Sequence, residues 1–237
     1  MSKPEKGVYI AIPNYRETVT MALAGWLFSL SPPAGESFFL DPIVMQPVDA
    51  ARNALVSRFL GDSNLEWMFM IDDDIVPWPA ILDLRNRGHL IISGLTYITK
   101  KGVPIATAIT KRYKNQMRIG GIIEGPRPPV EVVGVGTGAL MIHRSVLEKI
   151  KPPWFRFTYK YDGRRLQGED LYFSKKARKA GYSLWLDPSF PCGHIHRMDI
   201  RQQAQMLGVA IDSSDMEEFA DSCGLLDPSK PKPKKKG

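Results

Sequence analysis

The chain has little cysteine: Cys192 and Cys223, far apart, are the only two in 237 residues. Two such cysteines make no disulfide framework, so the fold must rest on its core in a reducing compartment. Nothing in the first residues resembles a secretory leader, since Lys3, Glu5 and Lys6 run directly into a short apolar strand. The longest apolar-rich stretch, Val19 to Leu30, falls short of the roughly 20 residues that span a bilayer. No Gly/Ser-rich linker divides the chain and no internal repeat is visible. With 43% hydrophobic residues, one sizeable core is affordable. The expectation is a soluble, cytoplasmic protein with no membrane partner.

Charge of one sign is concentrated rather than spread. The net charge is +7, and five of those charges are Lys230, Lys232, Lys234, Lys235 and Lys236, which leaves the body at +2. The tail has no apolar residue to bury and reads as disordered. It either holds a polyanion loosely or solubilises the end.

Strand and helix signals alternate through the first half. "GVYIAI" (7–12) is a β-rich run ended by Pro13–Asn14. Thr18 is placed to cap a helix whose apolar face is Val19, Leu23, Trp26, Leu27 and Leu30. An extended segment around Pro42 follows. Asp49 is then placed to cap a helix over "AARNALVSRFL", with Ala51, Leu55, Phe59 and Leu60 inward. "WMFMI" is the third strand, and "AILDLRNR" a helix after Pro79 that stops at Gly88. "LIISGL" is the fourth strand. This βαβαβαβ order predicts an α/β fold with a mostly parallel sheet flanked by helices, whose ligands sit at the carboxyl ends of the strands. Residues 97 to 135 read as hairpins. Ser145 and Glu148 form a capping box for a short helix. A helix opens at "GEDLYF" and stops at Gly181, and "SLWL" is the last strand.

Asp72, Asp73 and Asp74 end the third strand. Clustered carboxylates repel, and a divalent cation such as Mg²⁺ or Mn²⁺ removes that repulsion. Such ions bind one or two carboxylates plus substrate phosphates. In an extended chain Asp72 and Asp74 share a side and Asp73 faces away. An acidic turn leading into the next helix would look the same. Glu169 and Asp170 stand where a helix dipole favours carboxylates, and Asp170 suits a general base toward a hydroxyl. Plain helix-start chemistry explains them as well. "CGHIH" offers His194 as a metal ligand or as a structural histidine. "GVGTG" (134–138) is open to a close ligand or is a tight turn.

The order of these motifs resembles the GT-A fold glycosyltransferases, in their family-two-like branch. "IPNYRE" (12–17) is similar to that family's first-strand nucleotide loop, "ARN" (51–53) to its helix start, and "MIDDDI" to its metal motif. The likeness runs from Gly7 to His196. It implies Mn²⁺ or Mg²⁺ on Asp72, Asp74 and His194, and a nucleotide-sugar, a UDP-sugar foremost. Pro13, Tyr15, Glu17, Arg52, Asp72, Asp73, Gly136, Thr137 and Gly138 would bind that donor, with Arg52 near the base or diphosphate. Glu169 and Asp170 would be catalytic, Asp170 as the base in inverting relatives. Several retaining families carry the C-terminal histidine, so the resemblance leaves the stereochemical outcome open.

The acceptor is read from "PPWFRFTYKYDGRRLQ" (152–167), which interleaves aromatics with cations. Trp154, Arg156, Tyr159 and Arg164 would form a platform for a glycan, a protein or a DNA base, unless the aromatics simply fill core. Short enzymes of this type resemble those encoded by bacteriophages, which keeps DNA among the acceptors. A sugar nucleotidyltransferase would also use paired aspartates, but no Gly-rich loop with a following Lys or Arg comes after the first strand. A non-catalytic DNA-binding protein would leave both acidic clusters unexplained. The expected organisation is a GT-A domain over 1–198, a helical segment over 199–227 that packs on or covers the site, and a disordered tail over 228–237.

Overall fold

The computed structural model describes residues 4–15, 17–44, 46–100, 103–113, 116–119 and 124–195, all within one compact unit, Met1–His196. The expected boundary at 198, the helical segment 199–227 and the tail 228–237 lie outside the described residues. Among the described residues no helix is long and apolar enough to cross a membrane.

Seven strands form the central sheet: β1 (Glu5–Asn14), β2 (Ser37–Val44), β3 (Leu65–Ile71), β4 (Ile91–Leu95), β5 (Val130–Val132), β6 (Ala139–His143) and β7 (Leu184–Pro191). Their order is β5-β7-β4-β6-β3-β1-β2. β1 is parallel to both β2 and β3, and β7 is parallel to β4. β6 runs antiparallel between β3 and β4, and β5 antiparallel along the edge. The sheet is therefore mostly parallel, with one reversed strand near its middle. That reversal matters for the site. Ala139 at the start of β6 pairs with Ile71 at the end of β3, which brings residues 136–138 to the carboxyl edge.

Burial explains the strand sequences. In β1, Tyr9 and Ala11 enter one core layer while Val8, Ile10 and Ile12 enter the other, so no polar alternation survives. The first layer is covered by α2 (Val48–Asp62), α3 (Arg144–Lys149) and α4 (Glu169–Lys179), through Leu55, Phe59, Leu147 and Phe173. The second is covered by α1 (Met21–Ser29) and the 3₁₀ helix Ile81–Arg87, through Leu23, Trp26, Ile81 and Leu84. Each fully buried Leu or Phe contributes about 1.5–3 kcal/mol.

Three helix starts and one winding differ from the sequence expectation. α2 begins at Val48 with Pro47 as its N-cap and no side-chain cap bond, so Asp49 falls in the first turn instead of capping it. α1 is capped by Thr20, whose Oγ1 accepts from Leu23 N at 3.1 Å, because Asn14 Nδ2 holds the Thr18 carbonyl in the preceding loop at 3.0 Å. α3 is capped by His143, whose Nδ1 accepts from Ser145 N at 3.2 Å, while Glu148 lies 3.8 Å from Arg144. "AILDLRNR" winds as a 3₁₀ helix and stops at Gly88, left-handed at φ 76°. The hairpins expected after residue 97 are present as Tyr97–Lys100 with Val103–Ala106 and Ala108–Tyr113 with Gln116–Ile119.

Candidate active site

β3 ends at Ile71, one residue before the acidic run, so Asp72 to Asp74 are not extended. Ile75 N donates to Asp72 O at 3.2 Å and closes a four-residue turn with Asp73 and Asp74 at its centre. The expected shared side for Asp72 and Asp74 gives way to divergence. Asp72 Oδ1 accepts from Arg52 Nη2 at 2.6 Å, while Asp74 Oδ1 lies 3.3 Å from His194 Nε2. The Asp73 carbonyl accepts from Thr20 N at 3.1 Å and ties the loop after β1 to the turn.

An open cleft of about 200 Å³ lies here, lined by Pro13, Tyr15, Gln46, Val48, Asp72, Asp73 and Asp74. Tyr15 is exposed on its rim. Glu17 adopts a left-handed φ of 56° in the loop below, a conformation uncommon for a residue with a β-carbon. Gln46 and Val48 had no signal in the sequence, being ordinary residues brought there by the turn from β2 into α2. A second cleft, of about 250 Å³, is lined by Tyr97, Ile98, Thr99, Pro104 and His194.

His194 reaches the turn because Gly193–His194 pairs antiparallel with Ile75–Val76. Its Nδ1 lies 2.6 Å from the Tyr97 carbonyl, a contact that requires the hydrogen on Nδ1 and turns Nε2 toward Asp74. The hydrogen bond to Asp74 raises the imidazole pKa to about 9, against the opposing effect of burial and with help from the Tyr97 carbonyl.

Among the described residues no set of three or more His, Cys, Asp or Glu side chains is arranged to hold a metal ion. The chemistry of the pair nonetheless fits one. A backbone carbonyl on the far ring nitrogen is how metal-binding histidines are oriented, and one carboxylate with one imidazole leaves positions for water and diphosphate oxygens.

Arg52 is buried, and its other terminal nitrogen, Nη1, donates to Glu169 Oε1. Burial opposes the charged guanidinium, but Asp72 and Glu169 outweigh it and the pKa is raised. The acidic pair is thereby split. Glu169 faces Arg52, whereas Asp170 Oδ1 accepts from Leu171 N at 2.6 Å. Burial, then the neighbouring charge of Glu169, pushes the Asp170 carboxyl up. Gly168 makes room for it, since a β-carbon there would lie 2.7 Å from Asp170 Oδ1.

The glycine loop is packed by the chain itself. A β-carbon on Gly136 would come within 2.9 Å of Thr107 Oγ1, and one on Gly138 within 3.3 Å of Asp72 Oδ2. Thr137 between them is buried. The aromatic–basic stretch divides in two. Trp154, expected at the acceptor, is instead a core residue, 7% exposed with its indole N–H donated to Leu147 O at 3.0 Å. Phe155 stacks on Phe173. Asn53 Oδ1 accepts from the Trp154 and Phe155 amides at 2.8 and 3.2 Å, fixing the loop to α2. Arg156 is exposed, and beyond it a hairpin, Thr158–Tyr159 with Arg165–Gln167, carries exposed Tyr159, Tyr161 and Arg164 directly before α4.

No protein-family model matches the chain, and no curated protein matches it by sequence. Solved structures do. A197 from STIV aligns with a TM-score of 0.57 at 20% identity over 81% of this chain and 86% of its own. GalNAc-T7, solved with UDP, GalNAc and Mn²⁺, aligns with a TM-score of 0.55 at 12% identity over 94% of this chain, which spans 51% of that one. S. aureus TarS 1–349 in complex with UDP-GlcNAc gives a TM-score of 0.48 at 11% identity over 90% and 64% of the two chains, too loose an alignment to argue from. The architecture defines the class: the chain has the GT-A glycosyltransferase fold. At these identities the likeness extends to the fold alone.

Proposed function

We propose that the protein is a glycosyltransferase of family-two-like type, which moves a sugar from a nucleoside diphosphate, UDP foremost, to a hydroxyl acceptor. The observation that carries this reading is the Asp74–His194 pair, with Asp74 lining the cleft beside Pro13 and Tyr15 and His194 lining the second cleft. The base and ribose would lie against Pro13, Tyr15 and Gln46, near Glu17 and Asp73, with Asp72 on the ribose. The sugar would lie beside Gly136, Thr137 and Gly138. Asp74 and His194 would hold Mn²⁺ or Mg²⁺, with Asp72 reaching it through water. Such an ion supplies charge neutralisation for the leaving diphosphate.

Asp170 is the base of the proposal. The acceptor oxygen bonds to the anomeric carbon, the bond from that carbon to the diphosphate breaks, and Asp170 takes the hydroxyl proton. Its raised pKa suits the task, because a base holds a proton better as its pKa nears the working pH. The exposed hairpin with Tyr159 and Arg164, flanked by Arg156, is the acceptor surface for a glycan, a protein or DNA. No Gly-rich basic loop follows β1, which weighs against nucleotidyl transfer.

Thermal unfolding with UDP, GDP, CDP, dTDP and ADP, each with and without Mn²⁺, tests the reading. A ligand at 100 times its Kd stabilises by about 2.7 kcal/mol. One nucleoside diphosphate is expected to raise the Tm only with Mn²⁺, and Asp74→Asn to abolish the shift. No shift with any of them, in a folded protein, sinks the proposal.

A further inference from the structure

Arg52 is where the end of β3 and the start of α4 are joined. It stands near the start of α2 with a side chain 3% exposed. Nη2 donates to Asp72 Oδ1 at 2.6 Å and Nη1 to Glu169 Oε1. Asp72 closes the nucleotide cleft, and Glu169 opens α4 beside Asp170. A guanidinium offers its donors in a rigid planar fork, so it sets the spacing of two carboxylates from different elements. Its third nitrogen, Nε, is buried as well. Nε has no hydrogen-bond partner among the described residues, and at 3% exposure the side chain offers little surface to a base or a diphosphate in the cleft.

We propose that Arg52 is a positioning residue that fixes the start of α4 against the end of β3, leaving Asp170 alone of the acidic pair to meet the acceptor. The inference rests on the transfer reaction proposed above. It reassigns Arg52, which the family resemblance puts on the nucleotide, and it takes Glu169 out of contact with the substrate.

The test compares the wild type with Arg52→Lys, Arg52→Met and the double variant Arg52→Met/Glu169→Gln. Arg52→Met strands two carboxylates, and the double variant removes the more buried of them, so one protein with the wild-type net charge remains if the single variant fails to fold. Three quantities are read: UDP affinity with Mn²⁺, release of UDP from UDP-sugars, and amide hydrogen exchange in the first turn of α4. Arg52→Met is expected to keep UDP affinity within about threefold while kcat falls about 100-fold, the scale of a 1 Å misplacement. Exchange in the first turn of α4 should speed up. Arg52→Lys should recover part of both, keeping the charge without the fork. The double variant should fold yet stay as slow as Arg52→Met.

A loss of UDP affinity beyond about tenfold, with exchange in α4 unchanged, would make Arg52 a donor ligand and overturn the proposal. Unchanged exchange with unchanged kcat overturns it equally. If the wild type neither binds UDP nor releases it from UDP-sugars, the transferase reading fails separately. The exchange measurement then decides the clamp alone: faster exchange upholds it and unchanged exchange overturns it.

Discussion

The two ends of α2 bury one arginine each, and they use it in opposite ways. At the C-terminal end Arg144 donates to the carbonyls of Phe59, Ser63 and Leu65 at 2.8, 2.9 and 2.8 Å and sits over the Phe59 ring. The Phe59 and Ser63 carbonyls belong to the last turn and C-cap of α2, where a helix leaves acceptors without partners, and Leu65 opens β3. Burial lowers the Arg144 pKa, which the half-exposed Glu148 does not offset. At the N-terminal end Arg52 meets two carboxylates, and its pKa is raised despite deeper burial. A cation spent on backbone carbonyls ends a helix. A cation spent on carboxylates from two other elements holds a site together.

The largest effect expected separates the two by rescue. Arg52→Met breaks a buried ionic network and should cost about 3–5 kcal/mol in urea unfolding. Adding Glu169→Gln should return part of that, because the more buried of the two stranded charges is gone while the partly exposed Asp72 remains. Arg144→Met should cost about 1–3 kcal/mol for its unpaired carbonyls, and no neutralising partner can restore it, since a carbonyl cannot be mutated away. Equal rescue at both ends would erase the distinction.

A smaller effect separates the pair that faces the cleft from both buried arginines. The His194 pKa is raised to about 9, first by the hydrogen bond to Asp74, so the folded state holds a proton more tightly than the unfolded chain. The stability it contributes is fully present below the ordinary histidine pKa near 6.5 and is lost as pH rises through about 9. Both side chains keep about a quarter of their surface, 24% and 26%, so the share lost is on the order of 2 kcal/mol after screening. Urea unfolding from pH 6 to 10 should show this decline, and Asp74→Asn should flatten it. Affinity for Mn²⁺ should rise over the same range, because the ion replaces that proton. A flat profile in the wild type would separate His194 from Asp74.

Much of this was legible in the sequence, where local rules sufficed. The β-rich runs, the stop at Gly88 and the start of α4 follow from residue type and spacing. That Asp72 to Asp74 stand at the carboxyl end of a sheet strand followed from the alternation of strands and helices. Pairing in space was not legible. Nothing local says that β6 returns between β3 and β4, yet that insertion sets Gly138 beside Asp72. The aromatic stretch misled for a related reason. Trp154 and Tyr159 look alike in sequence, and only the anchor at Asn53 sends one to the core and leaves the other in water. Arg52 was expected on the nucleotide from the family resemblance of "ARN", and its partner Glu169, 117 positions away, left no local sign of the pairing. One cation with two carboxylates at buried positions was the available signal.

The smallest effect concerns Gly168, the residue between the exposed hairpin and the acidic pair. Its backbone, at φ −72° and ψ 161°, is one that alanine adopts freely. The obstacle to a β-carbon is the Asp170 carboxylate at 2.7 Å, the movable end of a side chain. Gly168→Ala should therefore cost about 1 kcal/mol or less, the difference between these residues at an N-cap. The carboxylate must swing away, and kcat should fall about tenfold for a base pushed from its place, with UDP affinity unchanged. Arg52→Met disturbs Asp170 by releasing the helix that carries it, whereas Gly168→Ala leaves the helix seated and moves the carboxylate alone. If Gly168→Ala leaves kcat intact while Arg52→Met removes it, the seat of α4 matters and the Asp170 rotamer does not. The proton would then have to leave by another group.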